Sequence, residues 1–248
     1  PVLKNIVDWH FKGTRYNIHA DEDGLLYAGV PGQQLTWMDA RIGNWVVTPR
    51  IGKPVEINAL WYNALMTYSE LLKQNKEKED AKKFSAHAKK VKDRFVELYW
   101  SEEKSCLYDC VDGDYRDTSV RPNQLFAISL PYPLLNNEMA KSILQITEEK
   151  LYTPVGLRSL SSDHPDYKPT YGGDQLHRDG AYHQGTVWSW LLGPYVDAMI
   201  KVNGVHGKAA AKKVIENFSH HLNEACIGSV SEIMDASAPY TPRGCNAQ

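Results

Sequence analysis

The clearest pattern along the chain is an apolar stripe that returns every three to four positions over residues 56–74. Its members are Ile57, Leu60, Trp61, Ala64, Leu65, Tyr68, Leu71 and Leu72. This spacing predicts an amphipathic helix, and Pro54 just ahead is compatible with a helix start. Similar patterns predict further helices over residues 79–99, 122–131, 135–150, 186–202 and 207–224.

The segments between these helices are rich in Gly, Pro and aromatic residues. Residues 100–121 predict a short hairpin around Asp112, Gly113 and Asp114. Residues 152–182 lack a period and predict a long functional loop, and 225–248 predict another loop, of which 246–248 resemble the first turn of a helix. Pro194 lies inside the 186–202 pattern, where a proline predicts a kink.

Helices that alternate with short connections and long loops favour an all-α fold, a helical toroid, over a four-helix bundle. In a toroid the long loops can project from one rim and build one site. No stretch of linker-like composition interrupts the chain. We therefore interpret residues 1–248 as a single domain.

Composition narrows the class of protein. The 248 residues are 42% hydrophobic and 23% charged, which is typical of a globular protein and argues against disorder. The formal net charge is −2 with mixed signs, so no footprint for nucleic acid or an anionic membrane is visible. No apolar run reaches the roughly 20 residues that span a bilayer, and no secretory signal is present.

The four cysteines are too few for a disulfide scaffold of this size, which favours free thiols and the cytoplasm. Pro1 is not an initiator Met, so the sequence leaves open whether a segment before it has been removed. The histidines are scattered without the spacing of a metal site. We therefore expect neither a metal nor a cofactor.

Candidate chemistry begins with the aromatic residues, since 7 Trp and 14 Tyr stand against only 5 Phe. Such amphipathic rings suit a core and also a groove that stacks sugars. Hydrolysis of a glycosidic bond needs two carboxyl groups, one protonated and one ionised. Asp39 beside Trp37 has surroundings that raise a carboxyl pKa, and Glu232 lies in a late loop. A loop Asp is also commonly a helix cap or a turn residue.

Several longer runs allow comparison with known families: residues 13–18, 21–29, 35–40, 52–62, 121–124, 182–188, 231–233 and 244–248. Together they closely resemble the C-terminal glucosidase domain of glycogen debranching enzymes, the amylo-α-1,6-glucosidase family. The resemblance covers essentially the whole chain. It implies an (α/α)6 barrel and hydrolysis of α-1,6-glucosidic branch points of glycogen or limit dextrin, with inversion of configuration.

The resemblance also assigns residues. Asp39, in Thr-Trp-Met-Asp, would be the general acid, and Glu232, in Ser-Glu-Ile, the general base. We expect one cavity to contain these carboxylates and the substrate-binding residues Trp37, Arg41, Glu56, Asn58, Trp61, Gln184 and Trp188. Glu56 also occupies a helix N-terminus, where an acid is favourable for electrostatic reasons alone.

Three matters stay open. A barrel of twelve helices exceeds the roughly seven predicted here, so we expect a domain truncated at its N-terminus and also at its C-terminus. The pattern also fits a glucoamylase-like or trehalase-like hydrolase of the same barrel type, or a non-catalytic glucan-binding module. A transferase activity elsewhere, the preferred glucan length and the oligomeric state are not addressed by these residues.

Overall fold

The computed structural model describes residues 1–246. Its helices are α1 (Val2–Lys12), α2 (Val55–Gln74), α3 (Lys78–Tyr99), α4 (Phe126–Ser129), α5 (Asn137–Lys150), α6 (Gln175–Ala181) and α7 (Leu192–Phe218). Its first strands are β1 (His19–Ala20), β2 (Leu26–Tyr27), β3 (Arg41–Ile42), β4 (Trp45–Val46), β5 (Lys53–Pro54), β6 (Trp100–Ser101) and β7 (Cys106–Leu107). The later strands are β8 (Cys110–Asp112), β9 (Tyr115–Arg116), β10 (Tyr152–Thr153), β11 (Gly156–Arg158), β12 (Val187–Trp188), β13 (Ser231–Met234) and β14 (Pro242–Asn246).

The expectation of an all-α barrel is wrong. Over residues 1–246 the structure is about 49% helical and 15% strand, with five small antiparallel sheets, and is therefore mixed α/β. Four sheets have two or three strands, and the fifth has the order β10-β11-β12-β13-β14. The strands escaped the sequence pattern because segments of two to five residues are too short to establish an alternation of polar and apolar positions.

The helices predicted over 56–74 and 79–99 are confirmed as α2 and α3, which pack against each other around Leu65, Phe84 and Phe95. The helix predicted over 135–150 is confirmed as α5, whose Asn136 side chain caps the helix by accepting a hydrogen bond from the Met139 N–H. The apolar period succeeds here because each helix buries one continuous face.

Other predictions of secondary structure are wrong in part. Residues 122–131 form a 3₁₀ turn followed by the one-turn helix α4. The segments 152–182 and 225–248 are not plain loops, since they contain β10, β11 and α6, and β13 and β14. Asn246 ends β14 and so does not begin a helix, and residues 247–248 of that predicted turn lie outside the described part of the chain.

The two helices predicted over 186–202 and 207–224 correspond to the two parts of α7, which a kink at Gly204 separates. The first begins later than predicted, because residues 187–191 form β12 and a 3₁₀ turn, and Ser219–Asn223 form another 3₁₀ turn. The backbone breaks at Gly204, with φ 55°, which a residue without a Cβ tolerates. The kink predicted at Pro194 is wrong. Pro194 lies in the first turn of α7, where its missing N–H costs no intrahelical hydrogen bond.

The five-stranded sheet matters most for the site that follows. It pairs β12 with β13, so that Trp188 lies opposite Ile233 and the segment before α7 lies beside the segment of Glu232. The hairpin predicted around Gly113 is confirmed as β8 and β9. Within residues 1–246, no helix has both the length and the apolar character to cross a membrane.

Candidate active site

The segment of Asp39 is anchored by its neighbours on either side. Met38 is fully buried, and its sulfur lies 3.8 Å from Arg121 Nη1 and 3.7 Å from Asn123 Nδ2. The indole N–H of Trp37 donates to Asn123 Oδ1 at 2.7 Å. These contacts hold the backbone around Asp39, whose own side chain reaches solvent.

Electrostatics distinguish the Asp39 carboxyl from an ordinary surface acid. Partial burial of the carboxyl group raises the pKa of Asp39, and the negative charge of Glu232 raises it further. The two carboxyl groups are therefore close enough to interact although 193 positions separate them in the chain. A raised pKa keeps a carboxyl protonated to higher pH, which suits a proton donor.

Glu232 lies on β13 and is held by donors on both of its oxygens. The Tyr182 hydroxyl donates to Oε1, while the backbone N–H of Cys245 donates to Oε2 at 3.3 Å and the Cys245 thiol lies 3.5 Å from it. Burial, and then the bond to Glu232, raise the pKa of the Tyr182 phenol, which therefore stays a donor. Gly244 has φ 72°, which favours glycine, and a Cβ there would lie 2.5 Å from Oε2, so any other residue would displace the Glu232 carboxylate.

An aromatic cluster connects the two carboxylate segments. Trp37 meets Trp188 edge-on at 5.3 Å between ring centroids, and Trp188 contacts Tyr182 at 4.9 Å. His183 stacks on Trp188 at 5.0 Å and is fully buried. Burial, with the positive charges of Arg121 and Arg50, lowers the pKa of His183 to about 3, so its ring is neutral.

Gln184 and Arg41 flank this cluster. The Gln184 side chain is buried, accepts from Arg121 Nη2 at 2.8 Å and donates to the Val47 carbonyl at 3.3 Å. Val47 in turn donates its N–H to the Ala40 carbonyl at 3.0 Å, directly after Asp39. Arg41 is exposed, and its Nε donates to the Gly43 carbonyl at 2.8 Å.

Glu56 lies in a buried ion network instead of on this surface. Both of its oxygens accept from the Arg50 guanidinium, and Arg50 Nε donates to Asp109 Oδ2 at 2.8 Å. Although burial alone would lower it, the Asp109 and Glu56 carboxylates hold the pKa of Arg50 well above its usual value. Asp109 Oδ1 accepts from Asn123 at 2.7 Å, so the network ends at the residue that binds Trp37.

Asn58 and Trp61 lie on α2, and both side chains are buried. The buried Asn58 amide accepts from the Leu26 N–H at 2.7 Å and donates to the Leu26 and Pro54 carbonyls at 3.0 and 3.1 Å. Trp61 is 4% exposed, and its indole N–H donates to the Gly24 carbonyl at 3.1 Å. The structure therefore brings Trp37, Asp39, Gln184, Trp188 and Glu232 into one connected region, and separates Asn58 and Trp61 from it.

Three residues that form hydrogen bonds with Glu232 or Trp37 were not predicted from the sequence: Tyr182, Asn123 and Cys245. Each lies inside a run that resembles the family, so the signal was present. The sequence did not reveal that Tyr182 bonds Glu232 across 50 positions, or that Asn123 bonds Trp37 across 86. Among residues 1–246, no cluster of three or more His, Cys, Asp or Glu side chains could hold a metal ion.

The site contains two carboxyl groups, those of Asp39 and Glu232, that are able to transfer protons. One carboxyl has a raised pKa, and the other is held by hydrogen-bond donors. Two carboxyl groups in unlike environments are what acid–base hydrolysis of a glycosidic bond requires.

Comparison with known families and structures agrees with this chemistry. The family model described as amylo-alpha-1,6-glucosidase matches residues 1–248. A curated relative, the glycogen debranching enzyme of Saccharomyces cerevisiae, is 30% identical over 231 residues. The match covers 75% of this chain and 15% of that enzyme, so the chain spans a small part of its relative.

Two solved structures show the shared fold. The GH63 mannosylglycerate hydrolase from Thermus thermophilus, in complex with Tris, has a TM-score of 0.58 at 18% identity, covering 78% of this chain and 42% of that chain. A structure described as a sialidase has a TM-score of 0.72 at 13% identity, covering 98% of this chain and 21% of that chain. At such identities the likeness concerns the fold alone.

Proposed function

The chain belongs to the amylo-alpha-1,6-glucosidase family, a family of glycoside hydrolases, and from this premise we propose that it hydrolyses α-1,6-glucosidic branch points of a glycogen-type glucan. The family match confirms the resemblance noted in the sequence. The observation that carries the proposal is the link between the Asp39 and Glu232 segments: Trp37 packs on Trp188, Trp188 packs on Tyr182, and Tyr182 bonds Glu232. In addition, the charge of Glu232 raises the pKa of Asp39, after burial of that carboxyl group.

Asp39 is the proposed general acid. Partial burial raises its pKa, so the carboxyl group retains a proton in a pH range where an ordinary surface acid has lost it. The proton passes to the glycosidic oxygen as the bond to carbon 1 breaks. As the negative charge of Glu232 contributes to the raised pKa, the base also keeps the acid in its working protonation state.

Glu232 is the proposed general base, which takes a proton from the attacking water. The Tyr182 hydroxyl and the Cys245 N–H donate to its two oxygens and hold the carboxylate in position. Water attacking the face opposite the leaving oxygen inverts the configuration at carbon 1, so the first product is β-glucose.

Trp37, Arg41, Gln184 and Trp188 are the proposed substrate-binding side chains, because they adjoin the two carboxylate segments. Glu56, Asn58 and Trp61 have a different proposed role. They bond Arg50, Leu26 and Gly24 and not the segments of Asp39 and Glu232, so they support the walls of the site. We propose a cytoplasmic location, in keeping with a glycogen-type substrate.

The test uses the complete polypeptide that includes this chain. It is incubated with a maltooligosaccharide carrying one α-1,6-linked glucose, with a linear maltooligosaccharide and with trehalose. We expect glucose from the branched substrate only, with β-glucose appearing first by proton NMR.

Each contrary result points to a defined alternative. Preferential hydrolysis of the linear chain would indicate a glucoamylase-like activity, and hydrolysis of trehalose a trehalase-like one. Binding of the glucan without hydrolysis would identify a binding module. An α-anomeric first product would overturn inversion.

A further inference from the structure

A large exposed aromatic side chain lies on the hairpin that follows Asp39. β3 and β4 pair with Ile42 opposite Trp45, and the Arg41 guanidinium bonds the Gly43 carbonyl to stabilise the turn. Trp45 is 44% exposed, which is unusual for a residue that can bury so much apolar area. No role for Trp45 follows from the acid–base chemistry described above.

The ring of Trp45 is held in place although it is exposed. The Lys168 ammonium lies 5.5 Å from the centroid of the ring, a cation–π contact. The same ammonium donates to the Gly180 carbonyl at 3.2 Å. A Cβ at Gly180 would lie 3.4 Å from the edge of the indole, so the ring packs against the backbone of α6. A ring fixed in this way loses little entropy when a ligand stacks on it.

The position of Trp45 relates it to both carboxylates. Its hairpin begins directly after Asp39, and the Val47 N–H bonds the Ala40 carbonyl to close it. On the other side of the Trp45 ring, Gly180 lies two positions before Tyr182, whose hydroxyl donates to Glu232. Trp45 therefore lies between the segment that carries the acid and the segment that orients the base.

We propose that Trp45 is a stacking platform for the glucan chain that leaves when the branch is cut. This inference rests on the proposed function and adds a specificity-determining residue to it. The acid protonates the oxygen that stays with the leaving chain, so this chain lies on the Asp39 side of the broken bond. The C–H face of a glucose ring is apolar and can cover the exposed part of an indole, while Lys168 can donate to its hydroxyl groups.

The test compares two substrates that differ only in the leaving group. A maltooligosaccharide with one α-1,6-linked glucose has a leaving chain, whereas α-glucosyl fluoride has none. In the complete polypeptide, Trp45→Ala should lower kcat/KM for the branched substrate about tenfold. It should leave hydrolysis of the fluoride unchanged, and that activity also reports that the variant is folded. Trp45→Phe should give an intermediate loss.

Trp9 provides a matched control. It is 56% exposed on α1 and has the Lys12 ammonium 5.6 Å from its ring, the same arrangement away from the site. Trp9→Ala should leave both activities unchanged. Equal loss on both substrates in Trp45→Ala, or no loss on either, would overturn the platform. Failure of the unmodified protein to hydrolyse either substrate would overturn the proposed function itself, and the inference with it.

Discussion

The region between Asp39 and Glu232 and the region at the start of α2 contain the same kinds of residue and use them differently. Around Glu232 the carboxylate keeps contact with solvent and is bonded to two neutral donors. Around Glu56 the carboxylate is buried, and both its oxygens are bonded to Arg50. In the proposed function, the first carboxylate takes the proton of the attacking water. The second is neutralised by a permanent partner, which makes it part of the framework.

The comparison predicts the largest loss of activity when Asp39 or Glu232, the proposed acid and base, is substituted. Asp39→Asn and Glu232→Gln each remove a proton transfer that is generally worth about 10²–10⁴-fold, so kcat should fall by that order. KM should change much less, because the aromatic walls remain. Steady-state kinetics on the branched oligosaccharide measure both constants. The exposed Glu97→Gln is the control, and unchanged kcat in Glu232→Gln would remove Glu232 from the base role.

We expect substitution of Glu56 to lower the free energy of unfolding and to leave substrate binding unchanged. Glu56→Gln leaves the Arg50 guanidinium without a charged partner on one side, and breaking a buried pair costs about 3–5 kcal/mol. Urea unfolding should report that loss, while Glu70→Gln at the exposed pair with Lys73 should cost about 0–1 kcal/mol. A stable Glu56→Gln variant with a raised KM would instead assign Glu56 to the substrate.

The hydrogen bond from Tyr182 gives a prediction about the rate. In Tyr182→Phe, Oε1 of Glu232 loses the donor that positions it. The value of kcat on the branched oligosaccharide should therefore fall, while KM changes little. A bond to a charged group is worth about 1.5–3 kcal/mol, which corresponds to roughly a 10–150-fold loss of rate.

Tyr195→Phe is the matched control for that experiment, because the Tyr195 hydroxyl donates to Glu148 in the same way but between α7 and α5. The kcat of this variant should stay unchanged. A similar loss of kcat in both variants would mean that the effect arises from general destabilisation and not from Glu232.

The smallest expected effect concerns the interaction between the two carboxylates. The negative charge of Glu232 contributes to the raised pKa of Asp39, after burial of the carboxyl group. Glu232→Gln should therefore lower the pKa of Asp39 while leaving it above the ordinary value, since burial persists. Titration of the Asp39 carboxyl carbon by NMR in both proteins measures this. An unchanged pKa would mean that the two groups do not interact.

The sequence predicted the long helices better than it predicted the short strands. The helices α2, α3 and α5 followed from the apolar period, because each buries a face several turns long. The five small sheets did not follow, because strands of so few residues are specified by their partners instead of by their own alternation. The kink in α7 lies at Gly204, between the two predicted helices, and not at Pro194.

By itself the sequence determined the long helices α2, α3 and α5, the family that the chain belongs to, and the residue types that are available for acid–base chemistry. Only the tertiary structure decided which of those residues are enclosed by protein partners and which stay open to solvent. Glu56 and Glu232 both lie in runs that resemble the family. They differ because Arg50 encloses one, whereas Tyr182, 50 positions away, orients the other. Burial and charge partners are properties of neighbours in space, so no local pattern of residues encodes them.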